Sequence, residues 1–330
     1  MNKYISKLID HYALYKLHKK RSRSPQFNKP KMQAINIKDA NNFFVEPELP
    51  PIAFSPVKEG ATYQEGKFSF KSQVNTQWQN NDHATGYYFK SNNNPQNISV
   101  IMVHGWRSEG FGHFDKLFLD DFKEKGFNLF YYTLPLHLDR QPNTSLYSGE
   151  YMISANVEGT VEAIKQAVTD LRALIKWIKE KKGEKVILIG ISLGGYVTNL
   201  TATLEAQIDG LISIMYANSL SFSIWKTVPG KYIKEDLVNN GFTYEELKDY
   251  WNIIDPSQYN PLITNDNILL ISGLYDQYVL LEDTNRLWKQ WQQPKRLLYP
   301  CGHAGIVLCR KKIRRDVMKY INKFTVSMKG

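Results

Sequence analysis

Only two cysteines, Cys301 and Cys309, occur in 330 residues. That excludes a disulfide-stapled secreted scaffold and a cysteine-built zinc site. No run of eighteen apolar residues exists, so the sequence predicts no spanning helix. The N-terminal stretch MNKYISKLIDHYALYKLHKK has neither an unbroken apolar core nor a small-residue cleavage site, and it does not read as a signal peptide. These absences point to the cytoplasm. Internal repeats and low-complexity tracts are missing too, and no spacing of His, Asp and Glu suggests a metal site, so neither metal nor cofactor is expected.

Acidic residues are scarce at both ends. Residues 1–31 carry nine Lys/Arg against Asp10 alone, and residues 310–330 carry eight against Asp316 alone. With a total of +10, the remaining body is left at −5. Basic ends can meet an anionic membrane or stay solvated as surface helices. No nucleic-acid motif accompanies the charge, so no nucleic-acid partner is expected. In the first segment Ile5, Leu8, Ile9, Tyr12 and Tyr15 recur at helical spacing between lysines. This predicts a basic amphipathic helix that packs on the domain or lies on a membrane. Residues 24–62 are rich in Pro and Asn and read as an extended arm, so residues 1–64 stand apart from a domain at 65–330.

Beyond residue 65 the pattern becomes regular. KFSFKSQV and TGYYFK alternate and predict antiparallel edge strands. ISVIMVHGW, FNLFYYTLPL, VILIGI, GLISIMYA, ILLISG and KRLLYP read as further strands, with helices between them, including a long one over 156–182. Strands alternating with helices predict an α/β fold: a mostly parallel sheet of about eight strands, an antiparallel N-terminal edge and helices on both faces. A helical insertion at about 220–260 is too short for a large lid.

The chemistry centres on Gly190-Ile191-Ser192-Leu193-Gly194. A lone G-x-S-x-G is weak, but here an apolar strand precedes it and an amphipathic helix follows, as a nucleophile on a sharp turn requires. A serine needs a base, and the base an orienting acid. Later strand ends supply Asp276 in LISGLYDQYV and His303 in YPCGHAGI. Asp255 and Asp266 compete for the acid role but follow no strand end.

The order Ser192, Asp276, His303 over residues 65–328 resembles the α/β-hydrolase-fold serine hydrolases, with a three-layer sandwich and a small cap. His104-Gly105-Trp106 resembles the family's oxyanion loop. The stretch LPLHLDRQP and the later SGE more specifically resemble bacterial abhydrolase proteins of unassigned substrate. The resemblance implies that Ser192 attacks, His303 moves the proton, Asp276 orients the imidazole, and the N–H groups of Trp106 and Leu193 hold the oxyanion. His104 would support that loop. His137, Arg140 and Glu150 are candidates for orienting a polar substrate group, or else a salt-bridged loop anchor. His113 reads as a surface or capping residue, and His11, His18 and His83 lie outside the strand series. Tyr196, Trp106, Phe111, Phe222, Trp225 and Tyr278 fall near strand ends, as pocket candidates or as core. The expected substrate is a small-molecule or lipid-like acyl ester or thioester. A peptidase with the same triad, or a non-catalytic binding protein on this scaffold, are the alternatives.

Overall fold

The computed structural model describes residues 3–19 and 36–325. Residues 24–35 of the expected arm, and 326–330 of the basic C-terminal end, lie outside the described residues.

Strand β4 (Ile98–Val103) explains the sheet in miniature. All six of its residues are buried, because both of its faces are covered and every position must be apolar or satisfied. Ile101 and Val103 join one core cluster, Val100 and Met102 the other. β6 (Lys185–Ile191), β7 (Gly210–Ile214) and β8 (Ile268–Gly273) repeat the same alternation. With β1 (Ala53–Glu59), β2 (Tyr63–Lys71), β3 (His83–Ser91), β5 (Asn128–Tyr132) and β9 (Lys295–Tyr299) they form one sheet in the order β1-β2-β3-β5-β4-β6-β7-β8-β9. β1 to β3 pair antiparallel and β3 joins β5 antiparallel; the remaining ladders are parallel. The mixed α/β architecture is the one expected.

The ninth strand comes from the supposed arm. Ala53–Glu59 pairs with β2, and its register shifts between Pro56 and Lys58. A proline has no N–H for a ladder, so it is tolerated at an edge or bulge. That composition disguised the strand as loop. Helix α2 (Val157–Lys182) is capped by Asn156, whose side chain accepts the Gly159 N–H, and ends at Gly183 in the left-handed conformation. α3 (Leu193–Ala202) follows β6. The cap is built of α4 (Leu220–Lys226), α5 (Lys231–Asn239) and α6 (Tyr244–Tyr250), and α7 (Leu281–Gln290) and α8 (Ile306–Ile321) complete the layers. Among the described residues, no helix is long and apolar enough to cross a membrane.

Helix α1 (Lys3–Lys19) docks on the domain, but the wrong way round for its sequence. It buries Ser6, Asp10 and Leu14 and leaves Tyr4, Ile5, Leu8, Tyr12 and Tyr15 exposed. The reason lies in what Asp10 binds, described below.

One buried ion pair anchors the loop after β5. Arg140 and Asp170 are almost wholly enclosed and meet at 2.9 Å. Arg140 also donates to the carbonyls of Thr133 and Asn81, and Asp170 accepts the Ser72 hydroxyl at 2.7 Å. Removing one partner strands a buried charge, which costs about 3–5 kcal/mol. We expect Asp170→Ala to lose that much stability in urea unfolding, and Arg140→Met with Asp170→Leu to recover most of it. A loss below about 1 kcal/mol for Asp170→Ala would contradict the assignment.

Candidate active site

β6 ends at Ile191 and α3 begins at Leu193, so the chain reverses at one residue, Ser192, with φ 57° and ψ −116°. A side chain there costs about 1–3 kcal/mol and persists only if its surroundings impose it. The glycines impose it. A Cβ on Gly194 would stand 1.9 Å from the Val103 carbonyl oxygen, and one on Gly190 2.4 Å from the Gly194 carbonyl oxygen. The Ser192 N–H donates to Ile214 of β7 at 2.9 Å, and the Ser192 carbonyl accepts from Tyr196 at 3.1 Å. The turn therefore presents the Ser192 hydroxyl at the carboxyl edge of the sheet, above the amide-rich start of α3.

His303 Nε2 stands 3.0 Å from Ser192 Oγ, and its Nδ1 stands 2.8 Å from Asp276 Oδ2. The other Asp276 oxygen accepts the N–H groups of Tyr278 and Val279, each at 2.8 Å. An ionised carboxylate only accepts, so Nδ1 carries the proton and Nε2 is left to accept from the serine hydroxyl. The Tyr278 ring stacks on His303 at 4.7 Å. Burial disfavours charge on His303, but the neighbouring Asp276 outweighs it and raises the imidazole pKa above its ordinary value.

His104-Gly105-Trp106 lies against the serine. A Cβ on Gly105 would be 3.2 Å from the Ser192 Cβ. His104 is buried, donates from Nδ1 to the Gly105 carbonyl at 2.9 Å and accepts the Leu134 N–H on Nε2 at 3.1 Å. Burial pushes its pKa down to about 4, so it is neutral and ties the loop to the end of β5. The Trp106 indole donates to the Gly149 carbonyl at 2.8 Å. Leu193 is the first residue of α3, where an amide has no acceptor within its own helix.

Four substrate candidates do not reach the cleft. His137 is fully buried, packs on the His104 ring at 5.0 Å and lies under Gly149, where a Cβ would stand 2.0 Å from its Nε2. Leu136 and Leu138, both at positive φ, turn the loop inward around it. Arg140 is committed to Asp170. The Glu150 carboxylate accepts from the Ser145 hydroxyl and the Leu146 N–H, capping its own loop. The Tyr196 hydroxyl donates to the Ile254 carbonyl and bolts α3 to the cap. These are loop and core anchors. Phe111 and Phe222 are likewise buried in the core, and Trp225 packs against it.

A cavity of about 300 Å³ opens beside Ser192 and His303. Trp106, Phe114, Leu117, Met215, Tyr278 and Leu17 supply apolar walls, with His113, Lys116 and Arg310 also on the lining. His113 is exposed, as expected of a surface residue, and also lines this cavity. Among the described residues, no group of three or more His, Cys, Asp or Glu could hold a metal ion.

Asp10 was not foreseen. It is fully buried, and its carboxylate accepts the N–H groups of Gln277 at 3.0 Å, His303 at 3.0 Å and Ala304 at 2.9 Å. It clasps the acid loop and the histidine loop together from outside the sheet. Burial pushes its own pKa up against those N–H groups, which favour the anion. The signal was present: Asp10 is the lone acid in a strongly basic segment.

No family model matches the chain. It is 55% identical over 113 residues to the uncharacterized protein YdjC of Bacillus subtilis, which covers 34% of this chain and 97% of that protein. An uncharacterized Mycobacterium tuberculosis protein is 29% identical over 205 residues; the chain spans only 46% of that relative's length. Among solved structures, an acetyl xylan esterase of Thermoanaerobacterium sp. JW/SL YS485 superposes with a TM-score of 0.65 at 16% identity, over 90% of this chain and 99% of that one. The acylaminoacyl peptidase of Pyrococcus horikoshii gives 0.59 at 17% identity, over 80% of this chain and 42% of that one. At such identities the likeness establishes the fold.

Because Asp10 adds negative charge beside His303, we expect Asp10→Asn to lower the His303 pKa, read by NMR titration of the imidazole. An unchanged or raised value would contradict the coupling.

Proposed function

The chain belongs to the same family as Bacillus subtilis YdjC and has the α/β-hydrolase fold, and on that footing we propose that it is a serine hydrolase cleaving a carboxylic ester or thioester through an acyl-enzyme. The observation that carries this reading is the unbroken relay from Ser192 Oγ through His303 to Asp276.

In this reading Ser192 Oγ attacks the acyl carbon while its proton passes to His303 Nε2. The Nδ1–H stays with the imidazole, and Asp276 offsets the charge that forms there. The substrate oxygen gains the negative charge and sits against the N–H groups of Leu193 and Trp106; each such donor typically contributes about 3 kcal/mol. Collapse of the tetrahedral species breaks the bond to the leaving group, which takes the proton from His303. Water then repeats the sequence in reverse on the acyl-enzyme, with the same histidine as base. The apolar walls suit an acyl group, and Lys116 and Arg310 on the lining favour a substrate with an anionic group near the mouth. A cap built of short helices suits a substrate that enters without a large lid. Amide cleavage would use the same relay, so a panel pairing p-nitrophenyl esters with p-nitroanilides of matched acyl groups separates the two.

We expect Ser192→Ala to reduce kcat/KM on a p-nitrophenyl ester by about 10³-fold or more while leaving the protein folded. Since the base must be neutral and its pKa is raised, kcat/KM should rise with pH through a value above about 6.5. Equal turnover by the alanine variant, or a limb below that value, would contradict the reading.

A further inference from the structure

Helix α1 is amphipathic, yet its apolar face points away from the protein. Tyr4, Ile5, Leu8, Tyr12 and Tyr15 are exposed, Tyr4 at 79% and Leu8 at 70%. At 3.6 residues per turn these five project into an arc of about 100°. The opposite side carries Ser6, Asp10 and Leu14 into the domain, and Leu17 into the pocket wall. A helix docked for its own stability buries its apolar stripe. Here the carboxylate of Asp10 sets the rotation instead, by its three backbone N–H partners.

Cations accompany the stripe: Lys7 and Lys16 flank it and Lys19 lies within it. Lys3, Lys7, Lys16 and Lys19 lie along the same helix, with Lys16 Nζ 4.8 Å from the Tyr12 ring and Lys19 Nζ 5.6 Å from the Tyr15 ring. Asp10, the acid of this helix, is buried, so its outer face carries cations without a carboxylate among them. At the start of α8, Val307 and Leu308 are also exposed and Arg310 follows. Ala304, just before that helix, donates to Asp10, so the two elements abut.

We propose that α1 is a docking element for an anionic lipid surface. Tyrosine and aliphatic side chains enter the boundary between headgroups and acyl chains, and the lysines meet the anionic headgroups. Pairing two copies through this face would set lysine against lysine, which disfavours self-association as its purpose. Leu17 lines the cavity from the other side of the same helix, so pocket and lipid are separated by roughly one helix diameter, about 10 Å. The consequence that acyl substrates arrive from that surface rests on the hydrolase reading; the docking itself does not.

The test uses the whole chain and sedimentation with vesicles, either phosphatidylcholine alone or phosphatidylcholine mixed with phosphatidylglycerol, at low and high salt. Wild type is expected to bind the mixed vesicles at low salt and to release at high salt. Leu8→Glu with Tyr12→Glu should bind at least about tenfold more weakly, with unchanged circular dichroism and unchanged turnover of a small soluble ester. Ser192→Ala should bind as wild type does, which keeps failure of docking distinct from failure of the hydrolase reading. No binding to mixed vesicles, equal binding to neutral ones, or equal binding by the double variant would overturn the proposal. So would a dimer in light scattering that the double variant dissolves while vesicle binding is absent.

Discussion

Ser192 holds φ 57° and ψ −116°, a conformation worth about 1–3 kcal/mol of strain, and the architecture around it is arranged to keep it there. β4 and β7 flank β6 on either side, and the Ile214 carbonyl and the start of α3 fix the peptides of the turn. Gly194 lets α3 approach the end of β4 to a distance that no other residue permits. That same approach brings Gly105 against Ser192, so the loop that would hold an oxyanion is set by the packing that strains the nucleophile. A single substitution at Gly194 would therefore disturb the turn, the loop and the strand contact together.

The relay depends on a second constraint that originates at the other end of the chain. Asp276 follows β8 and His303 follows β9, on neighbouring loops tied by the Leu274 N–H to the Tyr299 carbonyl at 2.8 Å and by the Tyr275 N–H to the Cys301 carbonyl at 3.1 Å. Asp10 joins them through three main-chain donors. Because those donors lie on the domain, Asp10 fixes which side of α1 is turned inward, and the tyrosines are left outside. The exposed stripe of α1 is then a consequence of how the site is held. Site geometry and surface chemistry are linked through one carboxylate.

Much of this was legible in the sequence because it rests on local chemistry. VILIGISLGG could be read as strand, turn and helix, since apolar continuity and glycine spacing speak directly for backbone geometry. Asp276 and His303 were found because strand ends in a parallel sheet share one edge. What could not be read depends on long-range partners. His137 and Arg140 pointed to a cleft by position, but the competing partner of Arg140, Asp170, lies 30 residues away, buried beside the apolar stripe of helix α2. A carboxylate bordering that stripe was the available cue. β1 was hidden by Pro56, which only an edge position accommodates. The stripe of α1 was seen, and its direction was not, because hydrophobic periodicity says which residues share a face and not which face is turned inward.

The central claim is that Ser192 is the group that attacks. Intact-mass spectrometry after reaction with a fluorophosphonate, followed by peptide mapping, reads this directly. The account predicts one adduct per chain, carried on Ser192, absent in Ser192→Ala and formed much more slowly in His303→Gln. An unmodified wild type, or an adduct on another residue, would contradict it.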